Sequence, residues 1–284
     1  MVHTKLAVGA LLAVAALTVS SCADAPAEKA TSSTENSDFK ACMVAGPSGV
    51  NDGGFNEQAW RGVQAAVDQL GIEGMHVEAP SDSEYKTTID ALIGKDCGLI
   101  LTVGFLTADA TKAAAEAHPD QRFAIVDSSF DPPLENVLGI TFDTAEASFL
   151  AGYLAAGASK TGVVATYGGI KIPPVALFMD GYWQGVQHYN EEHGSSVRVL
   201  GWDAESQNGT FMGNFNDQEK GKQITQTFMQ QGADVIFALA GLGNVGGRAA
   251  VEQQGKGAVS WVGVDTDGCE VYPEQCAIHL TSVL

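Results

Sequence analysis

Basic side chains are scarce in this sequence. Its 284 residues include 15 Lys and Arg against 34 Asp and Glu, which gives a formal net charge of −19. Proteins that bind nucleic acid need a basic surface to neutralise phosphates, so this charge excludes a nucleic-acid partner. It also disfavours a polyanionic ligand, because no cluster of Lys and Arg is present that would form a basic pocket. A neutral or cationic small ligand fits the composition better.

The sequence also lacks the run of about 20 apolar residues that an ordinary transmembrane helix needs. It begins instead like a secretory signal, with a positive charge at Lys5, a shorter apolar run over residues 6–19 and small residues before Cys22. The ending Val19-Ser20-Ser21-Cys22 resembles a lipobox, in which the Cys is diacylated and becomes the new N-terminus. The alternative is an ordinary signal peptide with a Cys near its cleavage site by chance. We expect a signal peptide over residues 1–21 and a lipid anchor on Cys22.

No large apolar side chain occurs in residues 23–38, which are mostly Ala, Ser, Thr, Glu, Asp and Pro. Such a segment cannot bury enough apolar surface to fold, so we expect residues 22–38 to be a lipidated, disordered tether. The anchor would hold the folded part of the chain at the extracytoplasmic face of the cell membrane without making it an integral membrane protein.

Only four cysteines remain once Cys22 is set aside, an even number that fits disulfides in an oxidising compartment. Cys42 and Cys97 each begin an apolar, strand-like run, and a bridge between them is geometrically reasonable if the two strands are parallel neighbours. Cys269 and Cys276 flank a short loop that a second bridge would close. The alternative is four unrelated buried thiols.

Signatures of catalysis and metal binding are also missing. The sequence contains no Gly-x-Ser-x-Gly elbow, and its six His are scattered, with none at ligand spacing from another His or from a Cys pair. We therefore expect a protein that is not an enzyme and that uses no metal or cofactor. One alternative stays open: Gly241-Leu-Gly243-Asn-Val-Gly246 lies about 20 residues before Asp265, a spacing typical of dinucleotide binding. Its late position in the chain and an exported location disfavour an NAD-dependent enzyme.

Strand-like and helix-like segments alternate through the rest of the chain. One series ends near Phe142 and a second of similar size follows, a pattern that predicts parallel sheets covered by helices. We expect an α/β fold of two doubly wound parallel-sheet lobes with a cleft between them, a common place for a small ligand. The expected bounds are 39–141 for the first lobe and 142–279 for the second, with a crossover back to the first lobe beginning in residues 280–284.

Side chains at the ends of three predicted strands are candidate ligand contacts, because open parallel sheets bind ligands beyond the carboxyl ends of their strands. Phe55 follows a pair of glycines after the first strand, and Asn56 is placed to cap the next helix. Asp127 and Asp265 end two later strands. The alternatives are packing of Phe55 onto its own helix and capping of a turn or helix by either Asp.

Several stretches of the sequence, in order and spacing, resemble one known family. Residues 54–62 read Gly-Phe-Asn-Glu-Gln-Ala-Trp-Arg-Gly, similar to a family start of Ser-Phe-Asn-x-x-Ala-aromatic-x-Gly, with Gly54 in place of the Ser. Further similar stretches lie within residues 123–127, 141–152, 168–185, 213–222, 261–265 and 280–283. The resemblance is to the basic membrane protein (BMP) lipoproteins, the PnrA-like purine nucleoside receptors.

This resemblance implies a type I periplasmic-binding-protein fold and a nucleoside ligand delivered to the permease of an ABC importer. It implies a base held between aromatic rings and ribose hydroxyls held by carboxylates. The positions implied are Phe55, Phe215 and, less directly, Phe178 for stacking, Asn56 and Asp265 for the base, Asp127 for the ribose, and Gly241 and Gly243 for backbone contacts. Core packing of each Phe is the alternative, and a sugar or autoinducer receptor of the same fold also fits, since aromatic rings stack on sugars.

The resemblance carries one departure. The chain stops at Leu284, where the family continues with a Lys thought to reach the ligand and with helices that complete the first lobe. From the sequence we therefore expect a truncated chain in which ligand binding is weak or absent.

Overall fold

Parallel strands and helices alternate in two successive series in a computed structural model that describes residues 38–284. The predictions for the signal peptide, for Cys22 and for all but the last residue of the tether lie outside the described residues. Within residues 38–284, no helix is both long enough and apolar enough to cross a membrane.

The first lobe is built on a five-stranded parallel sheet with the strand order β2-β1-β3-β4-β5. Residues 40–45, an inner strand of this sheet, are buried from residue 41 onward, because helices cover both faces of a parallel sheet. In chain order the elements are β1 (Lys40–Ala45), α1 (Phe55–Leu70), β2 (Glu73–Glu78), α2 (Tyr85–Ile93), β3 (Leu99–Val103), α3 (Ala108–Ala117), β4 (Phe123–Val126) and β5 (Val137–Ile140).

The second lobe repeats this plan with a parallel sheet of order β12-β11-β10-β6-β7 and a short antiparallel ribbon, β8-β9. Its elements are α4 (Thr144–Ala158), β6 (Val163–Gly168), α5 (Pro173–His193), β7 (Arg198–Leu200), β8 (Trp202–Asp203), β9 (Asn208–Gly209), α6 (Gln218–Gln230), β10 (Val235–Leu239), α7 (Gly243–Glu252), β11 (Ser260–Val264), α8 (Gly268–Val271) and β12 (His279–Val283).

The central strand β10 shows that helices cover both faces of the second sheet. Successive side chains of a strand point to opposite faces. Phe237 packs in one buried cluster with Tyr182 of α5, whereas its neighbour Ile236 packs in another with Trp261 and with Phe228 of α6. The predicted fold class, two doubly wound parallel-sheet lobes, is confirmed.

The boundary predicted between the lobes, at residues 141 and 142, lies in the short connection from β5, which ends at Ile140, to α4, which begins at Thr144. Residues 280–284 were expected to begin a crossover to the first lobe. Residues 280–283 lie in β12, which pairs in parallel with β11 at the edge of the second sheet. The division into folding units stays a prediction.

Both cysteine pairs considered from the sequence are disulfide-bonded in the structure. The first joins Cys42 on β1 to Cys97, just before the neighbouring strand β3, and the second joins Cys269 to Cys276. The paired residues are 55 and 7 positions apart in the sequence. The first bridge therefore links two neighbouring strands of the first lobe that are far apart in the sequence, whereas the second closes one small loop beside α8.

Removing the two disulfides should have unequal effects on stability. In the loop-entropy model the longer loop is worth about 4 kcal/mol and the shorter about 2.5 kcal/mol. We expect Cys42→Ala/Cys97→Ala to lower the free energy of unfolding more than Cys269→Ala/Cys276→Ala, as measured by urea unfolding of the full chain. An equal loss for the two double variants would contradict the loop-length argument.

Candidate functional site

Loops from both lobes meet around one small cavity at the carboxyl ends of the strands. The first lobe contributes residues 52–55 between β1 and α1, and the second contributes the turns after β10 and β11, which include Gly241 and Asp265. The space open to the centre of a water molecule is about 20 Å³, enough for about one water. Pockets for small ligands are usually about 300–1,000 Å³, so this cavity is too small to enclose such a ligand in the arrangement that the structure shows.

A hydrogen bond between the lobes holds this arrangement. Tyr272, which follows α8, donates its hydroxyl to the carbonyl of Gly53 at 3.1 Å. The guanidinium carbon of Arg248 on α7 lies 3.7 Å from the centre of the Tyr272 ring. Tyr272 is thereby fixed in the second lobe while its hydroxyl reaches the first.

Asp52 caps α1 and so fixes the loop that enters the cleft. Its carboxylate accepts hydrogen bonds from the backbone N–H of Gly54, Asn56 and Glu57 at 3.0–3.1 Å. The expectation that Asn56 caps this helix is wrong, because the helix begins at Phe55 and Asn56 lies within its first turn. Asp52 provides the acceptor that a cap requires.

Asn56, a predicted contact to the base, is buried beneath this loop. Its Oδ1 accepts from the Gly46 backbone N–H at 3.1 Å, and its Nδ2 donates to Ser48 Oγ at 2.9 Å and to Asp52 Oδ2 at 2.8 Å. A carboxamide has two donor hydrogens and two acceptor positions. One acceptor position therefore remains for a ligand, and the contact to a base stays a prediction.

Asp127 and Asp265 lie directly after β4 and β11, in the left-handed region of the backbone at φ +60° and +66°. A Cβ placed on Gly54 would lie 3.8 Å from Asp265 Oδ2, so Asp265 of the second lobe faces the β1–α1 loop of the first. In the part of the chain that the structure describes, neither carboxylate accepts a hydrogen bond or forms a salt bridge. The two carboxylates remain available to donors on a ligand.

The electrostatics of the cleft are dominated by these carboxylates. Burial raises the pKa of Asp265 to about 7, and repulsion from Asp52 and Asp127 adds to the shift. Burial also raises the pKa of Asp127 to about 6. Carboxylates from both lobes are therefore close enough to repel one another, and the site favours a ligand that brings hydrogen-bond donors rather than further negative charge.

The three predicted stacking residues are placed differently. Phe55 borders the cavity and also packs towards Gly104 of the first lobe. Phe215 contacts Gly241, a cavity residue, and accepts a backbone hydrogen bond from Leu242 at 2.8 Å. Phe178 packs against the second-lobe core, with its ring centre 6.4 Å from that of Phe237. Stacking on a base stays a prediction for all three, and the core-packing alternative fits Phe178 best.

The glycines of the Gly241–Gly246 stretch serve two purposes. Gly241 borders the cavity at φ +55°, a conformation that glycine adopts without strain. Gly243 and Gly246 instead lie against α6: a Cβ on Gly221 of α6 would meet the backbone of Gly243, and a Cβ on Gly246 would meet the carbonyl of Gln218. A Cβ on Gly243 would also meet the side chain of Met212, which precedes α6. Close packing of α7 on α6 accounts for these two glycines without a dinucleotide.

Sequence reasoning missed five polar side chains that line the cavity, namely Asp52, Asn244, Arg248, Thr266 and Tyr272. A signal existed for Arg248, a single charge amid the small residues 246–250 at the start of a predicted helix. No local pattern marked Tyr272, because its role depends on a contact with Gly53, 219 positions away.

The comparisons with known proteins identify the family. Residues 39–283 match the family model Bmp, described as the PnrA-like ABC transporter substrate-binding proteins. The chain belongs to this family. The family model describes substrate-binding proteins of ABC transporters.

Named relatives and a solved structure agree with this assignment. An uncharacterized lipoprotein of Pyrococcus abyssi is 32% identical over 82% of this chain and 57% of its own length, and basic membrane protein A of Borreliella burgdorferi is 32% identical over 81% and 65%. A solute-binding protein of an ABC transporter system from Aeropyrum pernix aligns with a TM-score of 0.75 and 28% identity, over 84% of this chain and 65% of its own. The chain thus spans 57–65% of the length of these proteins.

The raised pKa of Asp265 predicts a pH-dependent effect of Asp265→Asn. The native pKa of about 7 exceeds the ordinary value of 3.8, so the native state binds more protons than the unfolded state between about pH 4 and pH 7. Ionisation of Asp265 therefore lowers stability as the pH rises through that window. Asn tolerates the left-handed backbone and stays neutral, so the variant should be the more stable protein at pH 8, by up to a few kcal/mol.

Urea unfolding of the full chain at pH 8 and pH 4.5 measures this difference. The advantage of the variant should shrink at pH 4.5, whereas Asp68→Asn on an exposed part of α1 should change stability by less than about 0.5 kcal/mol at either pH. The raised pKa of Asp265 would be contradicted if the free energy of unfolding of Asp265→Asn differed from that of the wild type by the same amount at both pH values.

Proposed function

We propose that this protein binds a nucleoside, with a purine as its base, in the cleft between its lobes and delivers it to the permease of an ABC importer. One observation carries the proposal. Asp265 of the second lobe and Phe55 of the first border the same cavity, and Asp127 of the first lobe lies near enough for its charge to act on Asp265. Neither carboxylate accepts a hydrogen bond or forms a salt bridge within residues 38–284.

A nucleoside supplies hydrogen-bond donors for these two carboxylates. Its ribose hydroxyls are donors that a carboxylate accepts, and its base carries N–H groups for a second carboxylate. We assign the ribose to Asp127 and the base edge to Asp265. A ligand of this kind is neutral, which agrees with the net charge of −19 and with the mutual repulsion of the cleft carboxylates.

Phe55 and Phe215 are the stacking residues in this proposal. Phe55 of the first lobe borders the cavity directly. Phe215 of the second lobe lies against the cavity residue Gly241 through its backbone carbonyl and Cβ, and its ring packs on Gly169. A purine stacked on an aromatic side chain gains about 1–3 kcal/mol in single-strand binding proteins, without dependence on the base. Separation of the lobes would make room between the two rings, and closure would bring them onto the base.

The proposed location rests on the N-terminal sequence and is supported by the names of two relatives. We propose that Cys22 is diacylated and that residues 23–38 tether the lobes to the extracytoplasmic face of the cell membrane. The relative from Pyrococcus abyssi is named a lipoprotein and that from Borreliella burgdorferi a basic membrane protein, which supports this placement.

Isothermal titration of the full chain with inosine, guanosine, adenosine, ribose and NAD tests the proposal. We expect saturable binding of nucleosides and none of ribose or NAD. The protein concentration should be high enough to measure a millimolar dissociation constant, so that weak binding is not mistaken for none. Binding of ribose with the same affinity as nucleosides would indicate a sugar receptor, and absence of nucleoside binding would overturn the assignment.

Substitution of the stacking residues tests the site. Phe55→Ala and Phe215→Ala should each weaken nucleoside binding by roughly 5- to 150-fold. Phe142→Ala is the matched control, because Phe142 is 52% exposed and does not border the cavity, and it should leave the affinity unchanged. Equal losses in all three variants would show that the effect does not arise in the cleft.

A further inference from the structure

Two polar side chains of α7 border the cavity. Neither belongs to the nucleoside contacts proposed above. Asn244 and Arg248 are four residues apart on the helix, both border the cavity, and they are only 7% and 6% exposed. Residues four apart on a helix lie on the same face. Their side chains therefore reach the cleft together from the second lobe.

Both side chains have unused hydrogen-bonding capacity. Asn244 Oδ1 is buried and has no partner in the described part of the chain. Arg248 donates from Nε to Gln275 Oε1 at 3.2 Å and stacks on Tyr272, but forms no salt bridge within residues 38–284. A guanidinium has five N–H donors, so this one is left with donors beside the cavity. Such unsatisfied capacity indicates a ligand group rather than a structural contact.

The charges around the cavity determine what kind of ligand group Asn244 and Arg248 can bind. An unpaired arginine often binds an anion, but Asp52 and Asp265 border the same cavity, and Asp265 already experiences repulsion from Asp52 and Asp127. A further negative charge is therefore disfavoured. A neutral carbonyl oxygen satisfies the donors of Arg248 without that repulsion, and an N–H beside the carbonyl satisfies an acceptor such as Asn244 Oδ1 or the Asp265 carboxylate.

We propose that Asn244 and Arg248 are specificity-determining residues that select a 6-oxopurine nucleoside, such as inosine or guanosine, over adenosine. This inference rests on the proposed function. A 6-oxopurine carries a carbonyl oxygen at C6 next to an N–H at N1, and arginine commonly recognises guanine through O6 and N7. Adenosine presents an amino group at C6, whose N–H donors would face the N–H donors of Arg248.

Titration of the full chain with inosine and adenosine tests the proposal. For the wild type we expect inosine to bind roughly 10- to 100-fold more tightly than adenosine. Purine riboside, which lacks any substituent at C6, should bind more weakly than inosine. This comparison needs no variant, so it does not depend on whether a substituted protein folds.

Arg248→Gln and Asn244→Ala then locate the selectivity. Arg248→Gln should abolish most of the preference for inosine, and Asn244→Ala should reduce it. Arg198→Gln is the matched control, because Arg198 is exposed at the start of β7 in the same lobe, and it should retain the preference. The ratio of two affinities measured on one preparation is insensitive to a fraction of unfolded protein.

Several results would overturn the proposal. A purely structural role for Arg248 predicts an equal loss of inosine and adenosine affinity in Arg248→Gln, with the ratio unchanged. Tighter binding of inosine 5′-monophosphate than of inosine, lost in Arg248→Gln, would show an anion site instead of a carbonyl site. If the wild type binds adenosine as tightly as inosine, the proposed selectivity is wrong but the proposed function stands. If it binds no nucleoside, both fail.

Discussion

The constraint on which the cleft depends is the enclosure of carboxylates from two lobes in one small space. Asp127 of the first lobe and Asp265 of the second lie at strand ends and have no partner in residues 38–284. Burial raises the pKa of both, and repulsion from Asp52 and then Asp127 adds to the shift of Asp265. Burying such groups is unfavourable unless donors are provided. A ligand with hydroxyl and N–H groups removes this penalty, so its binding should be coupled to closure of the lobes.

The positions of these groups follow from the parallel sheets. In each lobe the carboxyl ends of the strands meet at one edge, and the two edges face each other across the cleft. Tyr272 bridges the lobes through Gly53, and Arg248 supports its ring. The same α7 that presents Arg248 and Asn244 to the cleft packs on α6 through Gly243 and Gly246. Small residues in this helix therefore set how close its polar side chains come to the cavity.

The fold could be predicted from the sequence because local patterns carry it. The strand Phe123–Val126 and the helix Tyr85–Ile93 agree with the apolar and amphipathic runs residue by residue, and Asp265 was found because it directly follows such a run. The β8–β9 ribbon was missed, since two-residue strands have no periodicity to detect. Asn56 was given a capping role because its residue type fits a cap, but the neighbouring Asp52 takes that role. Tyr272 and Arg248 could not be placed, because their function depends on contacts between distant segments.

A crystal structure of the full chain grown with inosine would show where a nucleoside binds. We expect the nucleoside between the lobes, with its base near Phe55 and Phe215, its ribose hydroxyls on Asp127, and its N1–H within hydrogen-bond distance of Asp265. Inosine bound to one lobe alone, or at the surface hollow beside Trp202 and Asn208, with the cleft carboxylates still without donors, would contradict this expectation.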